Sequence, residues 1–154
     1  MNKTHICDII HKIGENLCPG RYEKVESISE PFTTKILSTE TIRTIVKELN
    51  PKYWQPIDKI YREVSMESMK NFLKIDEISE RPYEKEKHDC DNFALELAGH
   101  VSEWAGNPPF GIVYLNDHAI NCFVCENKLY FVEPQNDKIY TALGKNKTVN
   151  CIIL

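Results

Sequence analysis

The stretch from Gly106 to Glu133 constrains the fold of this chain more than any other part. Gly106-Asn107-Pro108-Pro109 stops whatever precedes it, and three apolar runs follow: Phe110 to Leu115, His118 to Cys125 and Lys128 to Glu133. Only Asn116-Asp117 and Glu126-Asn127 separate them, and links this short join strands that run antiparallel. Side chains alternate between the faces of a strand, so a two-residue turn fixes which residues meet. With the turn at Glu126-Asn127, Cys125 opposes Lys128 and His118 opposes Gln135. Glu133 is then a diagonal neighbour of His118 on the same face. Moving the turn to Asn127-Lys128 keeps that parity, whereas a three-residue loop would break it.

Ahead of the strands, Cys90, Phe93 or Ala94, Leu97, Val101 and Trp104 recur at spacings of three and four, which predicts a helix with Cys90 in its packing stripe. Asp89, a short acceptor just before the repeat, serves as N-cap. Farther upstream, Ile6, Ile9, Ile10, Ile13 and Leu17 predict an amphipathic helix stopped at Cys18-Pro19-Gly20. Residues 21–37, with Pro31, read as an edge strand or extended connection. Ser38 or Thr39 caps a helix through Leu49, and Asn50-Pro51 breaks it. A Tyr53-Trp54-Gln55-Pro56 link then leads to two short helices, Ile57 to Glu63 and Ser65 to Phe72. The charged run Glu77 to Lys87 reads as a solvated loop, and Val149 to Leu154 as a last strand. The expected fold is α+β: one domain over residues 1–154, with a helical N-terminal half followed by a helix packed on an antiparallel sheet.

At 154 residues the chain is long enough for a core without disulfides or metals to staple it. Its 19 basic and 23 acidic residues give a formal net charge of −4, which offers nothing to a nucleic-acid backbone. The N-terminal residues mix acids and histidines with the apolar ones, unlike a signal peptide, and no stretch is long enough to span a bilayer, so the expected home is the cytoplasm. Cysteines at 7, 18, 90, 122, 125 and 151 are irregularly spaced and read as reduced thiols.

A thiol at a helix start followed by a histidine and a carboxylate on a hairpin is the order a cysteine nucleophile needs. Unpaired N–H groups at the helix start favour thiolate, an imidazole holds the proton, and a carboxylate holds the imidazole. Cys90, His118 and Glu133 are therefore the candidate catalytic residues. Asp89 and Asp91 work against the thiolate, so the imidazole, the helix end or a bound cation must offset them.

These residues also carry a resemblance. Asp89-Cys90-Asp91-Asn92-Phe93-Ala94, Phe110-Gly111-Ile112-Val113, His118-Ala119-Ile120-Asn121 and Val132-Glu133-Pro134-Gln135 resemble papain-like and transglutaminase-like cysteine peptidases. Within these they are most similar to the C-terminal peptidase domain of mushroom agglutinins and its stand-alone microbial relatives. The match spans about residues 50 to 140. It implies a thiol hydrolase, a cysteine peptidase or amidase acting on a peptide or protein through an acyl-enzyme. Cys90 would be nucleophile, His118 base and then acid, and Glu133 the orienter of the imidazole. The Cys90 N–H and a side-chain amide, Gln55 or Gln135, would meet the oxyanion. The chemistry requires no cofactor. The agglutinin relatives are calcium-activated, which makes Asp89 and Asp91 candidate calcium ligands. The carbohydrate-binding trefoil of the agglutinins has no counterpart in this chain.

Three other readings stay open. The same triad supports acyl transfer to an amine, as in a transglutaminase. Cys122-x-x-Cys125 with Cys90 and His118 offers metal ligands, although residues three apart on a strand point to opposite faces. A papain-like fold kept only for binding is the third.

Overall fold

The structure, a computed structural model, describes residues 32–154. The expected helix before Pro19 and the connection up to Pro31 lie outside the described residues. The chain forms β1 (Phe32–Ser38), α1 (Thr39–Val46) with a 3-10 turn Lys47–Leu49, β2 (Tyr53–Gln55), β3 (Ile60–Val64) and α2 (Met66–Ile75). A 3-10 turn Glu77–Glu80 leads to α3 (Cys90–Ala105), followed by β4 (Phe110–Leu115), β5 (Ala119–Cys125), β6 (Lys128–Glu133), β7 (Lys138–Tyr140) and β8 (Val149–Ile153). Six strands make one sheet in the order β2-β8-β4-β5-β6-β7, while β1 and β3 pair as a separate antiparallel ribbon.

Local chemistry sets the helix starts. The Ser38 hydroxyl accepts from the Thr41 N–H, and the Ser65 hydroxyl from the Ser68 N–H. At α3 the Asn92 side chain reaches back to the Asp89 N–H. Asn50 ends the first helical segment in the left-handed region, at φ 47°. The β5–β6 turn holds Glu126 and Asn127 at φ 54° and 61°, which suits a tight hairpin and gives the expected register, Cys125 opposite Lys128.

β5 is buried along its whole length, because both faces of the sheet are covered there. Ile120, Cys122 and Val124 point into a cluster with Leu37, Ile42, Val46 and Tyr61, under β1 and α1. Phe123 and Cys125 point the other way, toward Phe93, Leu97 and Val101 of α3 and Met69 and Phe72 of α2. Phe72 and Trp104 stack with centroids 4.5 Å apart, tying α2 to α3. Asn121, fully buried, donates to the carbonyls of Ala94 (2.8 Å) and Gly111 (3.2 Å) and so locks α3 onto the sheet. Gly111 allows β8 to close in: a Cβ there would sit 2.0 Å from the Ile153 carbonyl oxygen.

The expected fold class needs correction on two counts. The first described half is not a purely helical unit, since β1, β2 and β3 alternate with its helices. The segment expected as a helix from Ile57 to Glu63 contains β3, whose burial runs exposed, buried, exposed and buried from Ile60 to Glu63. Ile57, Ile60, Tyr61 and Val64 mimic helical spacing, but pairing with β1 imposes the period of two. The sheet is mixed rather than antiparallel, because β2 lies parallel to β8 while β8 is antiparallel to β4. The Tyr53-Trp54-Gln55 link is thus a strand held by a partner about a hundred residues away, which no local pattern announces. Among the described residues no helix is long and apolar enough to cross a membrane.

Candidate functional site

His118 stands one residue before β5, and Glu133 is the last residue of β6. The register pairs Asn121 with Val132, which leaves His118 and Glu133 diagonal across the open end of the hairpin. Their side chains meet, His118 Nε2 to Glu133 Oε2 at 2.7 Å. That hydrogen bond holds the imidazole above the ordinary histidine range, with partial burial opposing it. Nδ1 of His118 is left without a hydrogen bond among the described residues.

A cavity of about 240 Å³ opens beside this pair. Its floor is Leu115, Ile120 and Phe131, and its far wall is the segment 140–147, with Tyr140, Leu143 and Lys147. Tyr140 is 44% exposed, so its ring borders solvent as well as the cavity. Lys147 bridges both carboxylate oxygens of Asp117, at 2.7 and 2.8 Å, and ties the wall to the residue preceding His118. The lysine in turn holds the Asp117 carboxyl below the usual carboxylate range. A second cavity of about 570 Å³ lies on the other side of the same wall, against Ile45, Leu49 and Leu129.

Cys90 begins α3, half-buried, and packs on the small cluster of Ala94, Ile112 and Ala119. It is therefore delivered beside the residue that follows His118, although no hydrogen bond joins the thiol to His118 among the described residues. Tyr114 lies in the same neighbourhood: burial pushes its hydroxyl up, and Asp91, Cys151 and Cys90 add to the shift. Burial alone pushes the Cys122 thiol up to about 12, and burial also raises Cys125 and Cys151. Cys122 and Cys125 point into opposite core clusters, so the Cys-x-x-Cys spacing does not gather two ligands on one face.

The remaining expected residues are placed as follows. Gln55, on β2, has its amide engaged locally: it accepts from the Tyr53 hydroxyl at 2.8 Å and donates to the Pro56 carbonyl at 2.8 Å. Gln135 falls opposite His118 in the extrapolated register, and its backbone N–H approaches Glu133 Oε1 at 3.4 Å. Asp89 and Asp91 hydrogen-bond to each other, which holds Asp91 above and Asp89 below the usual carboxylate range. Calcium takes about six to eight oxygens. Among the described residues no group of three or more His, Cys, Asp or Glu side chains is gathered for a metal.

Sequence reasoning missed Tyr140, Leu143 and Lys147. Only a Lys-Ile-Tyr alternation before a Gly-Lys-Asn-Lys loop hinted that a short strand and a wall lay there.

Comparison with known proteins corrects the peptidase expectation. No curated protein sequence matches the chain. Among solved structures, one titled "PSL1a-E64 complex" shares 17% identity over 77% of this chain and 51% of its own, with a TM-score of 0.69. Another, the Polyporus squamosus lectin bound to the epitope Neu5Aca2-6Galb1-4GlcNAc, shares 16% identity over 77% of this chain and 49% of its own, with a TM-score of 0.68. The chain thus spans about half the length of the chains of known structure it matches, and the likeness is one of fold. The expected papain-like or transglutaminase-like core is corrected to the mixed six-stranded sheet that the chain forms, a fold it shares with these two chains. The identification as a cysteine peptidase, with its hydrolase activity, thiol-protease character and peptide or protein substrate, is overturned by the same findings together with the family match. A short constellation of cysteine, histidine and glutamate does not by itself settle a family. Residues 32–153 match the family described as the ricin-type beta-trefoil lectin C-terminal domain, and the chain belongs to that family.

Proposed function

We propose that this domain is the binding module of a lectin-type protein and that its ligand is a glycan, seated in the cavity beside His118 and Glu133. One observation carries the reading: an imidazole–carboxylate pair, an exposed tyrosine ring and a lysine all border one cavity of about 240 Å³ on a rigid sheet end. A sugar presents hydroxyls on its edges and C–H groups on its faces. The hydroxyls suit the carboxylate oxygens and the free His118 Nδ1, and a C–H face suits the Tyr140 ring. The lectin of known structure named above is bound to a sialylated epitope, which supports taking glycans as the ligand class. Tyr140→Ala and Glu133→Gln, compared with wild type on a glycan array and then by calorimetry, test this. Loss of binding in both variants with an unchanged melting temperature for Tyr140→Ala is expected. Glycan binding that survives both substitutions would overturn the reading.

A second reading is favoured by the position of Cys90. A half-buried thiol at a helix N-terminus, packed against Ala119, the residue that follows a histidine held by Glu133, suits capture of an electrophile. In this reading Cys90, His118 and Glu133 form a thiol-centred binding site, with Gln135 on the flank and Gln55 on the more distant β2. E64, the ligand in the PSL1a title, is the direct probe. The thiolate would open the epoxide of E64, forming a C–S bond and breaking a C–O bond, and the new alkoxide would take a proton. A mass increase equal to one E64 in wild type, absent in Cys90→Ala, is the expected result. An unmodified chain after long exposure would remove this reading.

A further inference from the structure

One stretch of chain stands between two cavities. Phe131, Ala142, Leu143, Gly144 and Lys147 line both the cavity beside His118 and the larger one of about 570 Å³. β6 runs under the two. Leu129, Phe131 and Glu133 alternate onto one face of that strand, so Leu129 floors the larger cavity, Phe131 lies beneath the wall and Glu133 borders the smaller cavity. From Leu129 to Glu133 the strand advances by roughly 13 Å. The wall itself, residues 142–147, forms neither helix nor strand and is exposed apart from the half-buried Leu143. Leu143 packs on the core under α1, and the pairing of Lys147 with Asp117 fixes the other end. Gly144 lines both cavities without a side chain, and a Cβ there would meet only Lys147 Cγ, at 3.9 Å. The wall is therefore open at Gly144. Past Leu129 the larger cavity ends at Asn127, whose Oδ1 accepts from Lys35 Nζ at 2.7 Å.

We propose that the two cavities are successive subsites of one trough, and that its ligand is an oligosaccharide that crosses the wall at Gly144. One end lies beside His118 and Glu133, and the following sugar covers Leu129 and Leu49. The inference rests on the glycan reading above and adds the length of the ligand and its path. Size favours it. At about 240 Å³ the smaller cavity falls below the range of about 300–1,000 Å³ usual for ligand sites, and the larger cavity falls inside it. The lining agrees. Half-buried Ile45, Leu49 and Leu129 give an apolar bed, and exposed Glu48, Lys128 and Thr141 stand around it. A sugar ring lays its C–H face on such a bed and turns its hydroxyls to the charged and hydroxyl groups at the edge. The link between two rings is a single oxygen, the narrowest part of the ligand, and it passes where the wall has no side chain. Affinity then grows with ligand length, because the further ring removes more apolar surface from water.

The probes are galactose, N-acetylglucosamine and sialic acid, each as a single sugar and at the end of linear di-, tri- and tetrasaccharides. An array with the full chain selects the binders, and calorimetry measures them. In wild type a trisaccharide should bind about tenfold more tightly than its terminal sugar alone. Gly144→Leu puts a branched side chain at the crossing and should abolish that gain, whereas Gly144→Ala, whose Cβ fits the open space, should keep most of it. Both variants should melt as wild type does, because Gly144 does not hold a left-handed backbone. A trisaccharide no tighter than its terminal sugar in wild type, or a gain with length that survives Gly144→Leu, would overturn the trough and leave the glycan reading standing. Failure of every glycan to bind would overturn both, so the two failures are told apart.

Discussion

The two ends of the β5–β6 hairpin use the same chemistry to opposite ends. At the turn, Glu63 is 3% exposed and saturated: it accepts from the Thr33 hydroxyl at 3.2 Å, from Lys35 Nζ at 3.1 Å and from the Glu126 N–H at 2.9 Å. At the open end, Glu133 has one strong partner, His118, and its side chain is 16% exposed beside a cavity. A buried carboxylate with three protein donors is part of the scaffold. One held by an imidazole and a long backbone hydrogen bond, with room in front of it, keeps capacity for a ligand. The difference separates a clamp from a site more sharply than residue type or burial does.

The largest expected effect falls on the clamp. Glu63→Ala should destabilise the fold by about 2–3 kcal/mol, because it leaves the Glu126 N–H and the Thr33 hydroxyl without their acceptor, while Lys35 keeps Asn127 and solvent. Urea unfolding measures this, and a loss below about 1 kcal/mol would show that the turn end is not a clamp. Glu133→Gln should cost less, about 1–2 kcal/mol, because an amide still accepts from the imidazole at a site nearer to solvent. It should nevertheless abolish ligand binding, which Glu63→Ala, measured on the folded fraction, should not.

The pH response of the open end is smaller. His118 is held above its ordinary value by Glu133, so the pair contributes stability that is fully present below the unfolded histidine value, near 6.5, and is lost as pH rises through the raised folded value. Proton NMR of His118 should show the raised midpoint in wild type and its return toward the ordinary value in Glu133→Gln. An unchanged midpoint would sever the link between the two residues. Asp117→Asn, which frees Lys147 from its exposed partner, should leave the melting temperature almost unmoved and alter only ligand affinity through the loosened wall.

Where the chain's instructions are local, the sequence could be read well. The start of α3 at Cys90, the limits of β4 and β6 and the diagonal approach of His118 and Glu133 all follow from caps, tight turns and the two-residue period of strands. The Glu126-Asn127 turn transmits its register along five residue pairs, so counting sufficed. The β2–β8 pairing was illegible because its partners are remote and β2 is only three residues long. Ile57 to Glu63 was misread because apolar residues at positions 57, 60, 61 and 64 satisfy a helical spacing that pairing with β1 overrides. The site was half visible. His118 and Glu133 could be placed in contact, but Tyr140 and Lys147, which give the cavity its wall, lie on a weakly patterned segment beyond the hairpin.

Amide chemical-shift mapping of the full chain, titrated with a panel of sialylated and neutral oligosaccharides, tests the central claim most directly. The account predicts saturable shifts at His118, Glu133, Tyr140 and Gly144, reduced in Glu133→Gln, with Glu126 and Asn127 at the clamped end unmoved. Saturable shifts confined to the β1–β3 ribbon or to the turn end, or no shift with any glycan, would contradict it.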